Sequence, residues 1–599
     1  MTETVAEILA AYRGGALTPA DIVARSYSRL RERGDPAIFI SLREEEDVLA
    51  EAETLMKGGN VTLPLYGIPV AVKDNIDVCG LPTTAACPAF LYQPQEDAVA
   101  VARLRTAGAL VLGKTNLDQF ATGLVGVRSP YGHPRNLFDD KLIPGGSSSG
   151  SAVAVGAGIV PLALGTDTAG SGRVPAMFNN IVGLKPSLGL VSTTGVVPAC
   201  RSLDCVSVFA FTVDDAMTAL RAIAGPDERD PFSRDRPLSA VGPLPGKFKL
   251  GIPRPEQRLF FGNAVFAAAY EAAIARLADL GAQIVELDVE PLYATARLLY
   301  EGPWVAERYL VAKDLLAKAP ESMLPVTRAI IAAGEKPSAA DAFAAFYKLE
   351  AFRRIRSEIF RSVDVLVLPT APTIYSIDEV TADPIALNSN LGTYTNFVNL
   401  LDLCGLALPS SIAAGGRPFG ITLLAPAGED AKLAALGRQF HFATGLPLGA
   451  LKARQPPPPK SASVIMAGEI AIAVVGAHLS GMPLNGELRA GGGRLLESAK
   501  TAPHYRLFAL SDTTPPKPGL LRVKDGEGAA IELEIWAMPD AAFGRFVANV
   551  PPPLSIGTLA LANGEMVKGF LVEAEAIKGA RDISSFGGWR KFVEAEDRH

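Results

Sequence analysis

Two glycine- and serine-rich segments, Gly145-Gly-Ser-Ser-Ser-Gly-Ser151 and Gly165-Thr-Asp-Thr-Ala-Gly-Ser-Gly-Arg173, do most to limit what this chain can become. Each reads as a tight turn entering a helix, where unpaired N–H groups and the helix dipole favour negative charge. The apolar run between them is broken by glycines and Pro161, so it reads as a helix over 151–157 and a strand over 160–164, not as a membrane span. The same alternation extends from Leu65 to about Pro198, with strands at 68–72 and 109–112 and a helix at 97–107. Such alternation predicts an α/β unit on a mixed or parallel sheet.

Residues 1–60 read as an N-terminal helical layer, with Thr18 as N-cap, Pro19 at the first helical position and Gly34 as a stop. After Thr212 the pattern predicts a helix to Ala224, a helix over 263–280 stopped by Gly281 and a strand over 282–289. Residues 293–360 read as mostly helix. Strand-like 365–368 and 419–424 flank a Gly/Thr/Asn-rich middle, and a helix over 430–443 closes the unit. The run Gln455-Pro-Pro-Pro-Pro-Lys-Ser-Ala-Ser463 reads as a semi-rigid linker. The expected domains are therefore 1–454, a linker at 455–463, and 464–599, the last a small β-rich α+β domain with one or two helices.

Charge and rare residues narrow the function. Lys+Arg 57 against Asp+Glu 63 leaves a net charge of -6 with no long run of either sign, which argues against nucleic acid as a partner. The five cysteines, Cys79, Cys87, Cys200, Cys205 and Cys404, show neither a disulfide framework nor a metal pattern, and fit a reducing, cytoplasmic setting. The acidic first residues suit no export signal, and no membrane span is expected. No metal or cofactor motif is readable. Of five histidines only His133 and His441 lie in the large domain, neither beside a nucleophile elbow, which speaks against a Ser-His-Asp machine.

The alternative is a lysine. In Ile68-Pro-Val-Ala-Val-Lys73-Asp-Asn75 it ends a strongly apolar strand. A strand-end lysine is ordinarily a surface residue, but in an apolar setting it loses its charge and becomes a usable base. One Gly/Ser loop alone reads as a phosphate-binding or flexible loop. Two such loops with this lysine point to serine–lysine nucleophilic catalysis.

Through Lys73-Asp-Asn, Gly145-Gly-Ser147-Ser148 and Gly165-Thr-Asp-Thr-Ala-Gly-Ser171-Gly-Arg173, residues 1–450 resemble the amidase signature family of amide hydrolases. The resemblance implies a mixed sheet surrounded by helices and no cofactor. It also implies that Ser171 is the nucleophile, that Ser147, preceded by a cis peptide, relays the proton, and that Lys73 accepts it in neutral form. The N–H groups of Thr168, Ala169, Gly170 and Ser171 would form the oxyanion hole. Ala169 departs from the family's usual glycine. Asp167 and Arg173 read as an ion pair pinning the turn.

The Thr168-Ala-Gly-Ser-Gly-Arg-Val-Pro175 form of the loop and Asp118-Gln-Phe-Ala-Thr-Gly-Leu-Val-Gly-Val-Arg-Ser-Pro-Tyr-Gly132 resemble the allophanate hydrolase branch. That substrate, a urea carrying a carboxylate, needs a cation and ureido hydrogen-bond partners. The resemblance places them on Arg308 and Tyr300, with Gly123 admitting the substrate to the backbone. The alternatives are a surface Arg308 paired with Glu307 or Asp314, a packing Tyr300 and a turn glycine. On one continuous helix Tyr300 and Arg308 would lie roughly 80° apart, but Gly302-Pro303 interrupts it.

The implied reaction yields ammonia and N-carboxycarbamate, then ammonia and carbon dioxide. A separate urea carboxylase, or breakdown of biuret or triazines, would supply the substrate. A homodimer is expected. Residues 464–599 resemble the extra domain of that branch through Val475-Gly-Ala-His478, His504-Tyr-Arg-Leu-Phe-Ala-Leu510, Val567-Lys-Gly-Phe-Leu-Val-Glu573 and Phe586-Gly-Gly-Trp589. His478 is the candidate for acid–base or carboxylate-binding work there, with a structural histidine as the alternative, while Trp589 and Phe586 read as packing. The competing functions are a broader amidase, the amidotransferase component that serves misacylated tRNA, and a catalytically retired scaffold.

Overall fold

The computed structural model describes residues 3–244, 248–459, 465, 468–511 and 513–596. Two compact units emerge: Met1–Leu238 with Lys249–Pro458, and Ser239–Phe248 with Pro459–His599. The segment Ser239–Phe248, assigned by sequence to the large domain, groups with the second unit; a Cβ on Gly242 would lie 2.4 Å from the Leu495 carbonyl. Residues 460–463 of the expected linker lie outside the described residues.

The first unit is built on eleven strands: β1 Phe39–Leu42, β2 Pro69–Lys73, β3 Leu110–Thr115, β4 Leu162–Asp167, β5 Val182–Lys185, β6 Cys205–Ala210, β7 Phe248–Pro253, β8 Ala282–Leu287, β9 Val365–Pro369, β10 Leu403–Ala413 and β11 Arg417–Pro426. Their order is β1-β3-β2-β4-β6-β5-β10-β11-β9-β7-β8. β2 runs parallel to β3 and β4, and β7 to β9, while β1, β5, β6, β10 and β11 pair antiparallel, so the sheet is mixed. Every residue of β2, β3, β4 and β6 is buried, which is why these strands read as unbroken apolar runs and not as an alternation.

Helix Pro19–Arg33 starts at a Thr18 capping box and stops at Gly34 in the left-handed region, as its sequence predicts. The N-terminal layer is not wholly helical, however: β1 lies inside it and forms the sheet edge. Equally, the Gly/Thr/Asn-rich middle contains β10. Gly405 and Pro409 hide that strand from a propensity reading, and its pairing slips between Pro409 and Ser411.

The second unit has a five-stranded sheet in the order Arg494–Lys500, Glu532–Pro539, Glu469–Val474, Met566–Val572, Leu554–Ala560, and a small three-stranded one. It carries three helices among the described residues, Asn485–Ala490, Asp540–Ala548 and Trp589–Glu596, one more than expected. Its core includes Val474, Tyr505, Leu533, Trp536 and Trp589. Among the described residues, no helix is long and apolar enough to cross a membrane. No group of three or more His, Cys, Asp or Glu there could hold a metal ion.

Candidate active site

The register of β2 against β4 builds the site. Val72 sits opposite Leu164, so Lys73, at the end of β2, is delivered beside Thr166 of β4, and its Nζ lies 2.7 Å from Thr166 Oγ1. The first Gly/Ser loop is pinned onto the same strand ends. Ser151 Oγ donates to the Leu164 carbonyl at 2.9 Å and shares a 2.7 Å bond with Thr115 of β3, while Ser148 Oγ donates to the Thr166 carbonyl at 3.2 Å. The loop is therefore a fully buried, hydrogen-bonded turn and not a flexible one. The Gly146–Ser147 peptide is cis, and Ser147 Oγ stands 2.8 Å from Lys73 Nζ.

Burial pushes the Lys73 amine down from 10.5 to about 7, against the charges of Asp118, Asp204 and Asp167 and helped by that of Arg308. A shift of that size disfavours the charged form by roughly 5 kcal/mol. An amine poised there can accept a proton from the hydroxyl it touches.

Ser171 follows β4 in a loop held from several sides and is itself buried. Asp167 accepts from Gly170 N at 2.9 Å and Gly172 N at 3.0 Å, and pairs with Arg173 through Nε at 2.8 Å and Nη2 at 2.9 Å. Burial would raise this carboxyl, but the Arg173 charge and hydrogen bonds outweigh it and hold Asp167 below its ordinary range. Thr395 Oγ1 donates to the Ala169 carbonyl at 2.6 Å. Gly170 has φ +125°, and a Cβ there would meet Thr395 Oγ1 at 2.5 Å, so this position needs glycine. Of the four N–H groups expected to face an oxyanion, that of Gly170 is taken by Asp167. Those of Thr168, Ala169 and Ser171 have no acceptor among the described residues.

The helix break at Gly302-Pro303 separates helices Glu290–Glu301 and Val305–Lys318 and swings Tyr300 onto Arg308. Arg308 Nη2 donates to Tyr300 Oη at 3.3 Å, with the guanidinium 5.4 Å from the ring centre. Its Nη1 donates to Thr122 Oγ1 at 3.0 Å and the Ala121 carbonyl at 3.3 Å. Arg308 is 2% exposed, so the surface-arginine alternative does not hold; Glu307 is instead bonded to Ser202 N and Oγ. Gly123, next in the same loop, has φ +152°, and a Cβ there would lie 2.8 Å from Asp118 Oδ2. Glycine is thus required here by the Asp118-centred turn itself.

In the second unit, His478 Nε2 lies 3.0 Å from Glu487 Oε2, and the ring stacks on Phe570 with 5.3 Å between centres and 15° between planes. Burial lowers its pKa against the pull of Glu487. It lines a cavity of about 180 Å3 with Lys517, Asn549 and Phe546. Trp589 is buried and packs on Phe592, as does Phe586.

Several contributors carry no sequence signal of their own. Thr166 sits inside the quoted second loop, but nothing there marks its hydroxyl as the second partner of Lys73. Asn399, whose Nδ2 donates to the carbonyls of Asp167 at 2.8 Å and Leu203 at 2.7 Å, comes from a distant stretch.

Comparison with known proteins identifies the family of the chain. Residues 23–434 match the Amidase family model, and the chain belongs to that family. Residues 470–594 match the Allophanate hydrolase C-terminal domain. Along 99% of both chains the structure is similar to that of the Kluyveromyces lactis allophanate hydrolase, with TM-score 0.79 and 44% identity. It is 45% identical over 576 residues to the urea amidolyase of Lachancea kluyveri, covering 94% of this chain and 31% of that one, and 44% identical to that of Saccharomyces cerevisiae. The chain thus spans about a third of those relatives. The peptide amidase of Stenotrophomonas maltophilia is a more distant structural relative, with TM-score 0.62 and 28% identity over 76% of this chain and 98% of that one.

Proposed function

We propose that the chain hydrolyses allophanate through an acyl-serine intermediate. The observation that carries the reading is the buried Arg308, bonded to the half-buried Tyr300, together with the Lys73–Ser147 contact: a guanidinium desolvated to this degree suits a substrate with its own carboxylate. Ser171 attacks the ureido carbonyl, its proton passing to Ser147 as Ser147 gives its own to the Lys73 lone pair; Thr166 still accepts from a Lys73 N–H. The Thr168, Ala169 and Ser171 N–H groups face the developing oxyanion. Collapse expels ammonia, the proton returning through the same relay, and water then releases N-carboxycarbamate. Loss of carbon dioxide from that product leaves carbamate, which breaks down to ammonia and a second carbon dioxide. A urea carboxylase supplying allophanate fits this chemistry.

The experiment is kcat/KM for ammonia release from allophanate as a function of pH. Because Lys73 must be neutral and its folded value lies near 7, the rate is expected to rise about tenfold per unit below pH 7 and to level off above it. A flat profile would remove Lys73 as the base, and absence of release would remove the substrate.

The His478 cavity supports a second step in the C-terminal unit. Lys517 offers a cation for the N-carboxycarbamate product and His478 a neutral imidazole. His478→Ala is expected to slow carbon dioxide release without slowing the first ammonia, as parallel assays of the two products would read; equal loss of both would make the histidine structural.

A further inference from the structure

We propose that Asp204 is a positioning residue for the oxyanion loop, acting through the side-chain hydroxyl of Thr168. Resting on the acyl-serine reading, this adds a component outside the Lys73–Ser147–Ser171 set.

The Asp204 carboxylate is buried, and each of its oxygens is aimed. Oδ2 accepts from Ala199 N at 2.7 Å, and Oδ1 accepts from Cys200 N at 3.2 Å and from Thr168 Oγ1. The first two bonds close the turn 199–204 on itself. The third crosses to the loop that carries Ser171. It matters there because the Thr168 backbone N–H has no acceptor among the described residues, and its peptide is held from the carbonyl side, where the Asp167 carbonyl accepts from Asn399 Nδ2 at 2.8 Å and from Cys205 Sγ at 3.2 Å. Its neighbours are held differently: Ala169 through its carbonyl by Thr395, Gly170 through its N–H by Asp167. For Thr168 the hydroxyl is the tether on the residue's own side chain, beyond the one on the preceding carbonyl.

The anchor itself is well held. Asn399 Nδ2 bridges the carbonyls of Asp167 and Leu203, the residues just before Thr168 and Asp204, so the two partners are kept at hydrogen-bond reach from both sides. Ser202, in the same turn, donates through N and Oγ to Glu307, the neighbour of Arg308. Turn 199–204 therefore joins the loop that would stabilise the oxyanion to the helix that would hold the carboxylate, and Asp204 is the part of that joint reaching the loop. A preorganised donor is worth its full effect only when it is already aimed at the developing charge.

The test is a double-mutant cycle at pH 8, with allophanate and malonamide as substrates. Thr168→Val removes the hydroxyl while leaving the Asp204 bonds to Ala199 and Cys200, and is expected to lower kcat about 10- to 100-fold with KM changed less than about threefold. Thr168→Ser, which restores the hydroxyl, is expected to recover most of that loss. Asp204→Asn sets an NH2 where an oxygen accepts from Cys200 N or Ala199 N, so it is expected to cost at least as much alone, and clearly less than that factor again in the Thr168→Val background, since the two variants share the Thr168 bond. Independent, multiplying losses, or a Thr168→Val enzyme with wild-type kcat, would overturn the proposal. If the wild type turns over malonamide alone, the allophanate reading fails and the cycle is read on malonamide. A wild type inert to both would overturn both readings.

Discussion

Ser171→Ala is expected to lower ammonia release from allophanate by a factor on the order of 10^5 to 10^6, at unchanged thermal stability. The size follows from the chemistry. Without the hydroxyl no acyl-enzyme forms, and the relay through Ser147 to Lys73 has nothing to deprotonate, so only binding and oxyanion stabilisation of direct water attack remain. Stability is spared because the loop is held through Asp167, Arg173, Thr395 and Asn399, and no hydrogen bond of the Ser171 side chain is among those that hold it. A variant that keeps a tenth of wild-type turnover would place the nucleophile elsewhere.

The second large effect is one of selectivity. Arg308→Ala is expected to reduce kcat/KM for allophanate about 100- to 1000-fold, in line with the ~2–5 kcal/mol lost when one partner of a buried charge pair is removed. Malonamide, which has no carboxylate to leave unpaired, is expected to lose about tenfold or less. The two rates should be compared at pH 8 or above, because the Arg308 charge helps hold Lys73 neutral and its loss moves that amine up. Equal losses on both substrates would reduce Arg308 to a brace for Thr122 and Tyr300.

What was legible in the residues, and what was not, divides along physical lines. The two Gly/Ser loops and the lysine ending β2 stood out because composition there departs from its surroundings, and the roles proposed for Lys73, Ser147 and Ser171 came from the resemblance to the amidase signature family. The ion pair of Asp167 and Arg173 could be expected because both flank one turn. β10 was hidden because a strand buried in mid-sheet shows no alternation, and Gly405 and Pro409 depress its propensity. Asp204 and Asn399 were hidden for another reason. Each is an ordinary polar residue whose role comes from a contact across 36 or 232 positions of chain, and no local pattern encodes that. The prior engagement of Gly170 is of the same kind, since its N–H is lost to a side chain whose direction only the folded turn sets.

The contact between Tyr300 and Arg308 shows how a break can be informative. A straight helix would have set them on neighbouring faces, and Gly302-Pro303 instead lets the second helix begin at a new angle that brings guanidinium and phenol together. The same pair is the strongest reason to read the site as selective for an anionic urea and not for simple amides.

That selectivity is tested most directly by ammonia release from freshly prepared allophanate set beside malonamide, biuret and urea, with the wild-type protein at pH 8. The kcat/KM for allophanate is expected to exceed that for each of the others by at least about 100-fold, with urea inert. Turnover of malonamide with allophanate untouched would contradict it and leave a broader amidase in its place.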